Sequence, residues 1–210
     1  DIMEEVLSNK KSRPKVGVIW ADFNKSSITH ALNEGRIEKM SPNVPDLTHL
    51  SLTDTHSIVA EMGHEPILEA LHHECELIIC GRAFDPSPFA AVGIFHGMDA
   101  GLSYHLGKIL ECGALCAEPG TTKDCILGTV KENSFTVQAL NPIRKCSTTS
   151  VAAHTFYEKD HPYLLHGPGF LLDLSQCEFK HAGEGLIEVS GSKYVPSKDY
   201  QVKLEGARVK

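Results

Sequence analysis

The sequence predicts an α/β protein, with an N-terminal part built on a parallel sheet and βαβ units over residues 1–119 and a strand-rich α+β part over residues 120–210. Three observations carry that expectation. In the first half, two short apolar runs, residues 15–20 (KVGVIW) and 76–80 (ELIIC), alternate with helical periodicity. A glycine follows the second run at once, in Cys80-Gly81-Arg82-Ala83-Phe84-Asp85-Pro86, as at a strand-to-helix turn. Beyond Gly120, apolar and polar residues alternate between turn signals, as in half-buried antiparallel strands.

Taken in order, residues 15–20 form a short strand, and Asn24 or Ser26 caps a helix over residues 27–33 that stops at Gly35. Two prolines make residues 41–46 a loop. Residues 47–52 read as a strand, and Asp54 as the N-cap of a helix over residues 55–62. Pro66 begins a helix whose apolar stripe is Ile67, Leu68 and Leu71. Residues 76–80 are apolar enough for a strand buried on both faces. A helix over residues 101–112 follows the glycine turn. Residues 124–130 and 135–140 flank a polar turn as a hairpin, and residues 150–159 form a short helix. Strands are expected over residues 170–174, 177–181, 186–194 and 200–204, with a tight turn at residues 182–185.

Composition narrows the function. Hydrophobic residues make up 41% and charged residues 22%, a globular balance. The net charge of −7 and the lack of a Lys/Arg run argue against nucleic acid or an anionic membrane surface. No apolar run approaches the roughly 20 residues of a membrane span. The charged N-terminus has no apolar core of a signal peptide. Seven scattered cysteines, an odd number, fit reduced thiols in a cytoplasmic protein. The abrupt ends are expected of a piece of a longer chain.

Chemistry concentrates in a few places. At the turn, Gly81 permits a sharp bend and Arg82 offers a planar fork to a carboxylate or phosphate. Asp85 either caps the helix that Pro86 begins or pairs with Arg82; on spacing alone, an anion site and a salt-bridged helix start weigh equally. Along residues 101–112, Leu102, Leu106, Ile109 and Leu110 fall on one arc, and Tyr104, His105, Lys108, Glu111 and Cys112 on the other. That second arc is either a solvated face or a stripe carrying an acid, a base and a thiol for proton transfer. A cysteine on a wet face is uncommon, which favours the stripe. His154 and Glu158, four apart, suit two metal ligands or an oriented general base, though a helix hydrogen-bond pair is commoner. Arg144 lies in a cationic, hydroxyl-rich segment before that helix, an anion site or a capped loop. Cys112, Cys116 and Cys125 include no CxxC, so no metal is expected on them. The sequence has no GxGxxG, phosphate loop, GxSxG or HExxH, and no cofactor is expected.

Five segments together resemble a known family: residues 58–66 (IVAEMGHEP), 79–86 (ICGRAFDP), 107–114 (GKILECGA), 150–159 (SVAAHTFYEK) and 202–207 (VKLEGA). They look like the acyclic terpene utilisation AtuA-like family, formerly a domain of unknown function, in the same order along the chain. Because family members are longer at both ends, the resemblance is to a central-to-C-terminal portion. It implies catabolism of citronellol- and geraniol-type terpenes, whose intermediates are branched acyl-CoA thioesters. It also puts functional weight on Arg82, Asp85, Glu111 and Cys112. The expected function is proton-transfer chemistry of hydratase, isomerase or lyase type on a branched acyl-CoA or carboxylic acid. Glu111, Cys112, Asp85 and His154 are the candidate catalytic residues; Gly81, Arg82, Lys108 and Arg144 are the candidate substrate contacts. Two alternatives stand beside it: a non-catalytic ligand-binding or assembly subunit of a multi-protein system, and a metal-dependent enzyme using His154 and Glu158. Homo-oligomerisation or a partner subunit is expected, with no nucleic acid and no membrane.

Overall fold

The computed structural model describes residues 2–8, 13–157 and 161–208. After a first helix, α1 (Ile2–Ser8), strand β1 (Val16–Ile19) pairs in parallel with β3 (Leu77–Cys80), from Val16 against Leu77 to Ile19 against Cys80. This is the parallel pairing expected of the N-terminal part, and among the described residues the other named pairings are antiparallel. Helix α2 (Lys25–Asn33) is capped by Asn24, whose side chain accepts the Ser27 N–H at 2.8 Å.

Residues 47–62 reverse the expected order. The helix comes first, as α3 (His49–Thr53), and the strand second, as β2 (Thr55–Ala60). Thr48 and Ser51 form a reciprocal capping box that starts the helix, so Asp54 ends a helix instead of beginning one. Threonine, isoleucine and valine then suit the strand, and β2 finds an antiparallel partner in β13 (Leu204–Arg208) at the far end of the chain. The strand expected at residues 200–204 therefore begins only at Leu204.

Helix α4 (Glu65–His72) opens with Pro66 in its first turn, one residue after its start, and covers one face of the β1–β3 pair, with Gly17 against Ala70 and Cys75. The other face is open, with Val18 and Ile79 exposed, so β3 is not the doubly buried strand its composition implies. Two apolar helices follow, α5 (Ser87–Phe95) and α6 (Ala100–Leu110). A 3-10 turn (Gly113–Cys116) and short strand β4 (Ala117–Glu118) lead into the second half.

There, β5 (Ile126–Val130) and β6 (Ser134–Ala139) form the expected hairpin. Strand β7 (Lys145–Cys146) pairs with β4, and helix α7 (Thr148–Thr155) opens on a Ser147–Ser150 capping box. Next come β8 (Leu164–Gly167), β9 (Phe170–Asp173), β10 (Glu178–Gly183), β11 (Leu186–Ser190) and β12 (Lys193–Pro196). The order β10-β11-β6-β5 makes one sheet and β12-β9-β8 another. What reads as one strand over residues 186–194 is thus two strands in different sheets. Gly191, at φ 86°, makes the break between them.

Two buried clusters meet on α6. Leu102, Leu106 and Ile109 pack with Phe135, Val137, Val151, Ile187 and Val189. Tyr104 packs with Ala90, Leu165, Phe170 and Leu172. The helix is therefore enclosed on both arcs: Tyr104, His105 and Lys108 are buried, and the solvated face that its pattern allowed does not exist. Among the described residues no helix is long and apolar enough to cross a membrane.

Candidate active site

The site grows from the end of β3. Gly81 donates its N–H to Ile19 O at 2.8 Å, and a side chain there would meet Ala21 N at 2.8 Å. The chain then diverges from β1. Met62, just past β2, slots beside it, donating to Arg82 O and accepting from Phe84 N at 2.9 Å. A second glycine lets α6 cross this turn closely, since a Cβ on Gly107 would lie 2.6 Å from Pro86 O. These two glycines bring the C-terminal end of α6 over the carboxyl end of β3. Ligands commonly bind at that end of an α/β sheet.

Between them lies a cleft of about 380 Å³, lined by Cys80, Gly81, Arg82, Ala83, Asp85, Pro88, Phe89, Glu111 and Cys112. Its size is that of a small-molecule pocket. It unites five residues singled out in the sequence: Gly81, Arg82, Asp85, Glu111 and Cys112. Lys108 stands behind Glu111, buried and in a close ion pair with it. Its ammonium lies 5.7 Å from the centre of the Tyr157 ring, a cation–π contact.

Arg82 is not an idle fork. Its nitrogens face three carboxylates: Glu61 at 2.7 Å, Asp85 at 3.0 Å and Glu205 at 3.0 Å. Lys203 joins in, 2.8 Å from Glu61 and 2.7 Å from Glu205. Hydrogen bonding to Glu205 and then to Glu61 holds the Lys203 ammonium above its ordinary range, and the Lys203 contact holds Glu205 below its own. Two cations against three carboxylates leave the cluster acidic. The guanidinium fastens Asp85 to the cleft rim and β13 to the turn, and it is committed before any substrate anion arrives. Asp85 accordingly does not cap α5, whose first turn has no side-chain cap.

His154 and Arg144 lie elsewhere. His154 is buried under α6 with its Nε2 3.1 Å from Ile109 O, so that nitrogen carries the proton and donates. Burial, and next the nearby Lys108 charge, push its imidazole below the ordinary value despite the bond to Ile109. It does not line the cleft. Its expected partner, Glu158, lies outside the described residues, and α7 ends at Thr155. The buried Arg144 donates to Pro119 O at 2.7 Å, Ala117 O at 2.7 Å and Ala114 O, and pairs with Asp124 at 3.3 Å. Standing just before β7, it ties residues 114–119 to that strand and to Asp124, which leads into β5.

One more polar chain crosses the interior. Thr155 Oγ1 donates to Val151 O at 2.9 Å, so it accepts from His105 Nε2 at 3.0 Å. His105 Nδ1 then accepts from Ser192 Oγ at 2.7 Å, and Cys177 Sγ lies 3.5 Å from that hydroxyl. Every group has a partner, and the imidazole is neutral.

Sequence reading missed Glu61, Lys203 and Glu205 around Arg82, and Pro88 and Phe89 in the cleft wall. The segments at residues 58–66 and 202–207 contain all three charged residues, but nothing local pairs positions 21 and 123 residues from Arg82.

With this geometry in place, comparison with known proteins adds one finding. A family model described as acyclic terpene utilisation family protein AtuA matches residues 1–208. No curated protein and no solved structure matches.

Proposed function

The chain belongs to the acyclic terpene utilisation AtuA family, and from that premise we propose that it is a catabolic enzyme moving a proton on a branched acyl thioester or carboxylic acid. The reaction is of hydratase, isomerase or lyase type. One observation carries the reading: Glu111 and Cys112 meet the Gly81–Asp85 turn across a single cleft, with Lys108 buried behind the carboxylate.

A carboxylate within a partly apolar cleft suits removal of a proton from the carbon next to a carbonyl. Lys108 fixes the orientation of Glu111 and balances its charge, which leaves the thiol of Cys112 as the neighbouring donor. Arg82 acts by holding Asp85 at the rim. Because the Arg82 cluster is already acidic, this wall suits an uncharged thioester carbonyl better than a free carboxylate. The acyl thioester is therefore the favoured form of the substrate.

The test is proton exchange in D2O with a 3-methyl-branched acyl-CoA, followed by mass spectrometry of the recovered thioester. The wild-type protein should introduce deuterium next to the carbonyl, and Glu111→Gln should slow this by about 10²-fold or more, the usual contribution of a general base. Wild-type exchange no faster than buffer, or an unimpaired Glu111→Gln variant with a native melting curve, overturns the proposal.

A further inference from the structure

Helix α5 reads Ser-Pro-Phe-Ala-Ala-Val-Gly-Ile-Phe, without a charged residue. A helix that is apolar all round is normally enclosed. Its inner side is: Ala90 and Ala91 are fully buried, Ile94 packs on the Tyr104 cluster, and Gly93 sits against Ser103. Its outer side is not, with Phe89 at 42%, Val92 at 49% and Phe95 at 37% exposed. The His72 ring, 5.1 Å away on α4, partly covers Phe95. That leaves Phe89 and Val92 as an uncovered apolar pair.

Their position is informative. Phe89 lines the cleft together with Pro88. Val92 is three residues further on, about 60° around the helix and about 4.5 Å along it, so it extends the same apolar wall outward from the cleft mouth. Polar groups capable of chemistry, Glu111 and Cys112, also line that cleft. We propose that Phe89 and Val92 form the subsite for the apolar tail of the acyl group and set the preference for chain length. This rests on the reading of the cleft given above. Continuity with the cleft identifies the occupant. One helical turn of apolar wall matches a hydrocarbon chain, whereas a stable protein partner buries about 800 Å² on each side.

Calorimetric titration of the whole protein, without turnover, with 3-methylbutanoyl-CoA and 3,7-dimethyloctanoyl-CoA tests this. The ten-carbon tail should bind at least about tenfold more tightly than the five-carbon one. Val92→Asp should cut that ratio to under about threefold, and Val92→Ala should give an intermediate ratio. Equal wild-type affinities for the two tails overturn the inference, as does a Val92→Asp ratio unchanged in a protein with a native melting curve. A third overturning result is Val92→Asp splitting an oligomer in sedimentation with the ratio intact, which would make a second copy the occupant. Because binding is read alone, length preference without proton exchange sinks the catalytic reading and leaves this one standing. Exchange without length preference does the reverse.

Discussion

Lowering the pH from 7 to 5 should weaken the fold by about 2 kcal/mol through His105 alone. This side chain is wholly buried, and burial pushes its imidazole from 6.5 down to about 3. In the folded protein it therefore stays neutral across this range, while in the unfolded chain it gains a proton below about 6.5. The unfolded state binds more protons between those values, so stability is fully present above pH 6.5 and is lost as the pH falls toward 3. At 1.36 kcal/mol per unit, the interval from 6.5 to 5 gives about 2 kcal/mol.

The variant His105→Gln removes the titration. At pH 7 it should lose about 1–3 kcal/mol, because the Ser192 hydroxyl that His105 Nδ1 accepts loses its acceptor. Urea unfolding of both proteins at pH 7, 6 and 5 reads the difference. His154 is also depressed by burial and acts with the same sign, but it is present in both proteins and cancels. Depressed carboxylates such as Glu205 and Asp124 keep their stabilising contribution above their ordinary values of 4.5 and 3.8 and lose it only as the pH falls further, beneath this window. The stability gap between wild type and variant should narrow by about 2 kcal/mol from pH 7 to pH 5. A gap that stays constant refutes the neutral, buried His105.

Two further outcomes follow from the cleft. Lys108→Met leaves Glu111 as a part-buried carboxylate without its cation and should cost about 3 kcal/mol in urea unfolding, whereas Lys108→Met with Glu111→Leu should recover most of it; a single variant within about 1 kcal/mol of wild type contradicts an enclosed pair. Mass-spectrometric mapping of iodoacetamide labelling should find exposed Cys112 and Cys125 modified before buried Cys116 and Cys146, and a saturating branched acyl-CoA should slow labelling at Cys112 but not at Cys125, since of these two Cys112 lines the cleft and Cys125 does not; equal protection at both sites would place the ligand elsewhere.

Legibility in the sequence tracked the range of the forces. The β5–β6 hairpin, the Asn24 cap and the Pro66 helix start depend on residues within a few positions of each other, and each formed as the local pattern indicates. The inversion at residues 47–62 also has local chemistry, the Thr48–Ser51 box, but its strand is fixed by a partner at residues 204–208 that no local pattern reveals. Helix α6 is the plainest case. Its polar arc allowed a wet face, and only the convergence of Phe135, Val137, Val151, Ile187 and Val189 on one side and Leu165, Phe170 and Leu172 on the other makes it interior. Likewise, Arg82 and Asp85 were legible as a pair three residues apart, whereas the Glu61 and Glu205 that fill the remainder of the fork, and the Lys203 that bridges those two carboxylates, were not.

The interior of α6 bears on where the chemistry lies. Replacing a buried ion pair by apolar residues of similar volume is often neutral or stabilising, so such a pair calls for a reason beyond stability. Arg144 and Asp124 have one: the guanidinium ties together three carbonyls, of Ala114 in the 3-10 turn, Ala117 in β4 and Pro119 just beyond it. Lys108 has no comparable structural duty. It lies one turn beyond Tyr104 on a helix enclosed by apolar clusters, and with Phe84, Leu165, Phe170 and Leu172 it lines a small, mostly apolar void. Its ammonium is directed instead at Glu111, the one carboxylate of this helix end that opens on the cleft. Desolvating a lysine there makes sense if the carboxylate it holds must keep one orientation while the cleft fills and empties. On this argument Lys108 is a positioning residue for Glu111 in the proposed reaction.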